Sequence, residues 1–272
     1  MNKISRSLYI LFLNSLLLLL YIGLNSFTWV NDTAKTSSFK FKTIIIDAGH
    51  GGKDPGAHGT YSVEKNVALA IAKKLRREVA EELPNLNVVM TRTDDTFIEL
   101  NKRSAIANEN QGNLFISIHC NSSPAGTANR QKGVMLLVYG FHRVKEQLEA
   151  IRENSSIYIE KDYKKKYASY DETDPTNLII LNLYMQKYRK QSIHFADLLN
   201  NEFKYTDNRP SIGVKEQGVL VLAHSAMPAV LVETGYINNA TEEDYLNSND
   251  GQEEIVQSII RAIKTYKKEL SN

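Results

Sequence analysis

The chain has 272 residues, enough for one large domain or two small ones. A hydrophobic fraction of 42% and a charged fraction of 24% are those of an ordinary globular protein. The net charge of +2 gives no footing for nucleic-acid binding, and the one basic run, Lys161–Lys166 interleaved with tyrosine, reads as a solvated face or loop.

Lys3 and Arg6 precede an apolar stretch from Leu8 to Leu24, broken only by Asn14 and Ser15. A basic flank followed by an apolar core is the layout of an export signal. At about 17 residues the core lies at the lower limit of a membrane span. No clear small-x-small cleavage site stands near Ser26, so residues 1–26 are expected to be a signal peptide or a retained N-terminal anchor. The lack of a cysteine near residue 20 argues against a lipoprotein. Residues 27–38 read as a polar linker, and residues 39–272 as the exported domain. The single cysteine, Cys120, has no internal disulfide partner. It follows His119 on an apolar strand, where neighbouring side chains point to opposite faces, so it is expected to be a buried bystander.

Phe41–Asp47 is a nearly continuous β-branched run, the pattern of a strand covered on both faces. Glu64–Leu83 repeats apolar residues at helical spacing and stops before Pro84. A strand over Leu86–Thr91, a helix over Ile98–Asn110, and strands over Leu114–His119 and Val134–Tyr139 follow. The remaining strands are expected at Gly218–Leu222 and Ala229–Glu233, and a closing helix at Gln252–Leu270. This alternation predicts an α/β fold: one domain, with a mainly parallel twisted sheet of about six strands and helices on both faces. The stretch between Gly140 and Gly218 breaks the alternation and is far longer than a connection requires. Helical patches at Val144–Ile159 and Leu178–Phe203 mark it as a helical insertion, about residues 141–205, of a size that is usually functional or regulatory.

Four residues carry chemistry. His50 lies in the glycine-rich loop of I-I-I-D-A-G-H-G-G-K-D-P-G-A. That loop fits neither phosphate-binding pattern: Gly52-Lys53 is followed by Asp54, and Gly49-x-Gly51 lacks the third glycine. His50 is then an imidazole at the carboxyl end of a first strand, where α/β sheets place ligands. Glu64, in S-V-E-K-N, starts a long helix, with Ser62 or Tyr61 as candidate cap. His119 ends the strand F-I-S-I-H-C-N. Glu233 ends the apolar strand P-A-V-L-V-E, where an unpaired carboxylate is costly to bury; a helix with Thr241 as expected N-cap follows. Each has a bland explanation alone. Together, three polar strand ends and a helix-start carboxylate point to a metal site. Two imidazoles and one carboxylate suit a catalytic Zn²⁺ with an open fourth position, leaving the other carboxylate to work on water. A zinc peptidase acting on protein is disfavoured, because H-E-x-x-H is absent and Glu64 lies fourteen residues after His50 on a different element.

The same motifs, with L-N-K-R-S-A-I-A-N and M-P-A-V-L-V-E-T-G-Y-I-N-N in this order, resemble the zinc-dependent N-acetylmuramoyl-L-alanine amidases, the cell-wall family sometimes called amidase 3. The resemblance covers about Thr43–Glu269. It implies a phosphorylase/hydrolase-like fold and cleavage of the amide between N-acetylmuramic acid and L-alanine in peptidoglycan, during daughter-cell separation or wall turnover. It implies that His50, Glu64 and His119 bind Zn²⁺ and that Glu233 is the catalytic carboxylate. Asn66 or Asn121 would orient ligands or substrate, or bond backbone. Arg103 is left without a role. The insertion resembles the regulatory segment of periplasmic members, in which a helix supplies a carboxylate to the metal. Glu153 is the expected inhibitory fourth ligand, with Glu149 and Glu160 as alternatives, and an activator protein would withdraw the helix. Localisation in a periplasm, with membrane contact only through a retained N-terminal segment, follows.

Overall fold

The run Thr43–Ala48 forms a strand (β1) whose six residues are all buried. Its side chains alternate between two cores. Ile44 and Ile46 join a large cluster on one face of the sheet, and Ile45 joins a smaller cluster on the other. Each isoleucine so buried contributes about 1.5–3 kcal/mol. The computed structural model describes residues 12–17, 40–124, 126–127, 130–140, 147–170 and 174–271. The chain divides into two units, Met1–Phe39 and Lys40–Asn272. In the first, residues 12–17 are helical; the rest of the expected export segment and the linker lie outside the described residues. Among the described residues no helix is long and apolar enough to cross a membrane.

The second unit alternates as the sequence predicts: α1 (Glu64–Glu82), β2 (Asn87–Met90), α2 (Leu100–Glu109), β3 (Leu114–Asn121), β4 (Val134–Tyr139), α3 (Leu148–Asn154), α4 (Tyr163–Lys166), α5 (Pro175–Asn201), β5 (Ser211–Gln217), α6 (Leu220–Ala223), β6 (Ala229–Tyr236), α7 (Ala240–Asn247) and α8 (Asn249–Glu269). Among the described residues the sheet has six strands in the order β2-β1-β3-β6-β4-β5. The first four are mutually parallel. β4 and β5 are parallel to each other, but β4 meets β6 antiparallel. The sheet is therefore mainly parallel, with a reversed pair at one edge.

Helices α1, α5 and α8 cover the large-core face. Val67, Ile71, Leu75 and Val79 of α1 meet Ile255, Ile259 and Ile263 of α8, with Phe195 and Leu199 of α5 beside them. The other face is covered more thinly, by Ala107 of α2, Ala150 of α3 and Val221 and Leu222 of α6.

Three local expectations are corrected. Gly218–Leu222 is not a strand: Leu220–Ala223 is a short helix, and the edge strand lies earlier, at Ser211–Gln217. The apolar run G-V-L-V-L fits either form, because it fills the small core by packing and its periodicity is too short to decide. Asn239, not Thr241, caps α7, accepting from the backbone N–H groups of Thr241 and Glu242. Neither Ser62 nor Tyr61 caps α1, which starts after Val63 with no side-chain cap. Part of the expected Val144–Ile159 helix, residues 144–146, lies outside the described residues; the rest is α3 and a 3₁₀ turn over Ser155–Ile159.

Candidate metal centre

The parallel register sets the site. β3 and β6 pair with His119 opposite Glu233, and β1 pairs with β3 with Asp47 opposite Ser117. Alternation puts Phe115, Ser117 and His119 on the thinly covered face, while Ile116, Ile118 and Cys120 point into the large core. Cys120 is thus a buried free thiol facing away from the site. Burial pushes its pKa well up.

The chain leaves β1 through Gly49 and turns at His50, whose φ of 56° is left-handed. The turn carries the His50 ring to within 4.8 Å of the His119 ring, centroid to centroid. Gly49 must be glycine here, since a Cβ would sit 2.4 Å from the His119 imidazole. Gly56, at φ +68°, likewise leaves room for Glu64 and His50. Glu64 projects from the first turn of α1 and is fully buried. Its Oε2 accepts the Ala57 N–H at 2.7 Å and its Oε1 the Cys120 N–H at 2.9 Å. Oε1 also lies 3.1 Å from His50 Nε2 and 3.0 Å from His119 Nδ1.

A fourth group comes from α3. Glu153 Oε2 stands 2.8 Å from His119 Nδ1 and 3.5 Å from His50 Nε2. Ligand atoms of His50, Glu64, His119 and Glu153 all lie within 4.8 Å of one another. His50 Nε2 and Glu153 Oε2 are buried with no well-directed hydrogen bond, although Glu64 Oε1 and His119 Nδ1 stand close by. Two imidazoles and two carboxylates whose free atoms converge on one point fit a divalent cation of the zinc type. His50 turns its other nitrogen, Nδ1, to Asp54 Oδ2 at 2.9 Å, the outer-shell carboxylate that fixes a ligating ring.

Charge tells the same story. Burial disfavours protonation of His50, yet Glu64, Asp54 and Glu153 hold its pKa well above the usual imidazole range. Burial opposes protonation of His119 as well, but Glu153 and Glu64 push it up to about 9. Against burial, the two rings hold Glu64 far below the usual carboxylate range. The carboxylates thus demand positive charge at this point. Protons on the rings meet that demand, and a cation would meet it with the rings neutral.

Glu233 lies beside this cluster but outside it. Burial raises its pKa to about 8, although Arg152 works the other way. Arg152 Nη2 donates to Glu233 Oε1 at 2.5 Å, and its Nη1 donates to Asn121 Oδ1 at 2.5 Å. Glu233 Oε2 is buried and has no hydrogen-bond partner.

The structure therefore brings together all four residues singled out in the sequence, and Glu153 with them. Asn121 joins the edge of the site; Asn66 is exposed on α1. Glu149 and Glu160 do not join: Glu149 accepts from Gln217, and Glu160 accepts from the Tyr167 hydroxyl at 2.7 Å. Sequence reasoning missed Asp54 and Arg152. Asp54 had a signal, its place in the His50 loop; Arg152 had none beyond adjacency to Glu153.

Residues 44–265 match the family described as N-acetylmuramoyl-L-alanine amidase, Amidase_3. The chain belongs to this family. It is 31% identical over 224 residues to the N-acetylmuramoyl-L-alanine amidase AmiC of Escherichia coli O6:H1, a match covering 82% of this chain and 52% of that protein. The chain thus spans about half the length of that relative. Among solved structures, the catalytic domain of the amidase CwlV from Bacillus (Paenibacillus) polymyxa var. colistinus matches with a TM-score of 0.59 and 30% identity, over 83% of this chain and 97% of that one. An N-acetylmuramoyl-L-alanine amidase from Clostridium difficile 630 matches with a TM-score of 0.61 and 25% identity, over 83% and 96%. Peptidoglycan amidase activity is what the family and these relatives support.

Proposed function

We propose that the chain is a zinc-dependent amidase that hydrolyses the amide between N-acetylmuramic acid and L-alanine in peptidoglycan. The observation that carries this reading is the convergence of His50, Glu64 and His119 beside a separate buried carboxylate, Glu233. In this reading the first three hold the metal. When bound, zinc supplies a Lewis acid that polarises the amide carbonyl and acidifies water. Glu233 does the proton work: Oε2 takes the proton of the attacking water and returns it to the departing alanine nitrogen. Oε2 is the oxygen suited to this work, because it is buried and no protein group donates to it.

The described structure is read as the resting state. Glu153 occupies the fourth ligand position and Arg152 pairs with Glu233, so α3 blocks the metal and the base together. Displacement of α3 by an activator protein would release both. Phe195, Ala196, Leu199 and Phe203 lie in the large core, which supports a reading in which only α3 and the turns after it move. In this reading the protein works outside the cytoplasm, in a periplasm, delivered or tethered by residues 1–26, and acts in wall turnover or daughter-cell separation.

The test is digestion of purified peptidoglycan by the full chain, read by mass spectrometry. Free stem peptides and denuded glycan that disappear with chelator and in Glu233→Gln support the reading. Absence of both products from a zinc-loaded Glu153→Ala protein sinks it in favour of wall binding without cleavage.

A further inference from the structure

We infer that Arg92 and Arg103 are positioning residues whose guanidiniums clasp three successive carbonyls, Ala48, Gly49 and His50, and hold the proposed metal ligands in one arrangement before metal arrives. The inference rests on the reading of His50, Glu64 and His119 as those ligands. Ala48 O accepts from Arg92 Nε at 2.9 Å and from Arg103 Nη1 at 2.7 Å. Gly49 O accepts from Arg92 Nη2 at 2.6 Å, and His50 O from Arg103 Nη2 at 2.7 Å.

Arg92 also reaches a second ligand-bearing element directly, and Arg103 does so through Asp47. Arg92 Nη2 donates to Lys65 O at 2.8 Å, one residue beyond Glu64. Arg103 Nη1 donates to Asp47 Oδ1 at 2.8 Å, and Asp47 Oδ2 accepts from Ser117 Oγ at 2.6 Å, two residues before His119 on the same face of β3. The loop is shaped around these groups: a Cβ on Gly51 would come within 2.9 Å of Arg92 Nε.

Two neighbouring guanidiniums are costly to bury. Arg92 and Arg103 are 3% and 1% exposed and repel each other; burial and Arg103 together pull the Arg92 pKa down to about 10. Replacing buried charges by apolar packing is often neutral or stabilising. What the pair supplies is directional. His50 is held left-handed, a conformation that costs a non-glycine residue of order 1 kcal/mol or more, with its carbonyl turned onto Arg103. Only a planar fork with five donors satisfies carbonyls and a carboxylate together; a lysine ammonium is a point charge that does not span them.

The experiment is zinc binding by the chelated full chain, titrated against a chromophoric chelator, with the Tm of the metal-free protein measured alongside. Arg103→Lys is expected to weaken zinc binding about 10–100-fold, the usual effect of losing an outer-shell partner. In a His50→Ala background the same substitution is expected to weaken zinc binding by a smaller factor, because the route through the His50 carbonyl is gone and only that through Asp47 and Ser117 remains. If Arg103→Lys does not fold, Arg92→Lys carries the test with the same expectation in the wild-type background. Unchanged zinc affinity in the folded variant, or an equal loss with and without His50, overturns the inference alone. A wild-type chain that binds no zinc overturns the ligand assignment and the inference with it.

Discussion

The two faces of the sheet differ in kind. The face under α1, α5 and α8 is apolar throughout, with Ile44, Ile116, Val230 and Val232 set against the helices. The opposite face starts apolar, with Ile45, Phe115 and Leu231, and becomes polar toward the carboxyl ends of the same strands, at Asp47, Ser117, His119 and Glu233. Period-two alternation lets one strand serve both. The first face supplies the stability that allows the second to bury several charges. The covers differ too: α8 is 21 residues long, whereas α3 has seven and leaves Leu148 and Ile151 exposed on its outside.

Substitutions sharpen this contrast. On the polar face, Glu233→Gln is expected to lower amidase turnover by about 10²–10⁴-fold, the scale of a lost general base, with the thermal midpoint nearly unchanged; stem-peptide release and scanning calorimetry check the two halves. On the apolar face, Ile259→Ala is expected to cost about 2–5 kcal/mol by leaving a cavity, measured by urea unfolding. Turnover per folded molecule should stay within about 2-fold, since this core lies across the sheet from the chemistry. If Ile259→Ala changed turnover more than Glu233→Gln did, the division of labour between faces would be refuted.

The cover itself gives a third test. Glu153→Ala together with Arg152→Ala is expected to raise activator-free hydrolysis by about tenfold or more, as a blocked site is uncovered, read in the same stem-peptide assay. A doubly substituted protein no faster than wild type would end the blocking role of α3.

A pH dependence follows for the chelated protein. His119 has a folded-state pKa raised to about 9, against roughly 6.5 in the unfolded chain. The folded state binds the proton more tightly, so this stabilisation is complete below pH ~6.5 and is lost as pH rises through ~9. The Tm of metal-free protein should fall across that window, and the zinc-loaded protein should lack the step. The smallest effect is expected at Ile151, where replacement by Ser on the exposed side of α3 should change stability by less than about 0.5 kcal/mol.

How much of this the sequence revealed depended on the range of the cause. β1, β3 and β6 are mostly apolar runs that meet a polar residue, Asp47, His119 and Glu233, toward one edge of the sheet. Local pattern was enough to put His119 and Glu233 at that edge. α1 and α8 repeat their apolar residues over many turns and were equally legible. Leu220–Ala223 was not, because four apolar residues carry no usable period. The cap of α7 was misplaced because Asn239 and Thr241 are both competent oxygen acceptors, and only the backbone path selects one. The Arg152–Glu233 contact joins residues 81 positions apart, and the Arg92 and Arg103 clasp depends on side chains reaching carbonyls; neither leaves a local trace.

Cys120 gives the molecule a practical property. It is the chain's single cysteine, and it is buried with its thiol pKa pushed well up. Thiolate is the reactive form, so this sulfur is silent to alkylating dyes and spin labels while the fold is intact. A cysteine introduced at Ile151, which is 67% exposed, would then be the chain's one addressable thiol. The wild-type background already suits a single-site reporter on the proposed displacement of α3.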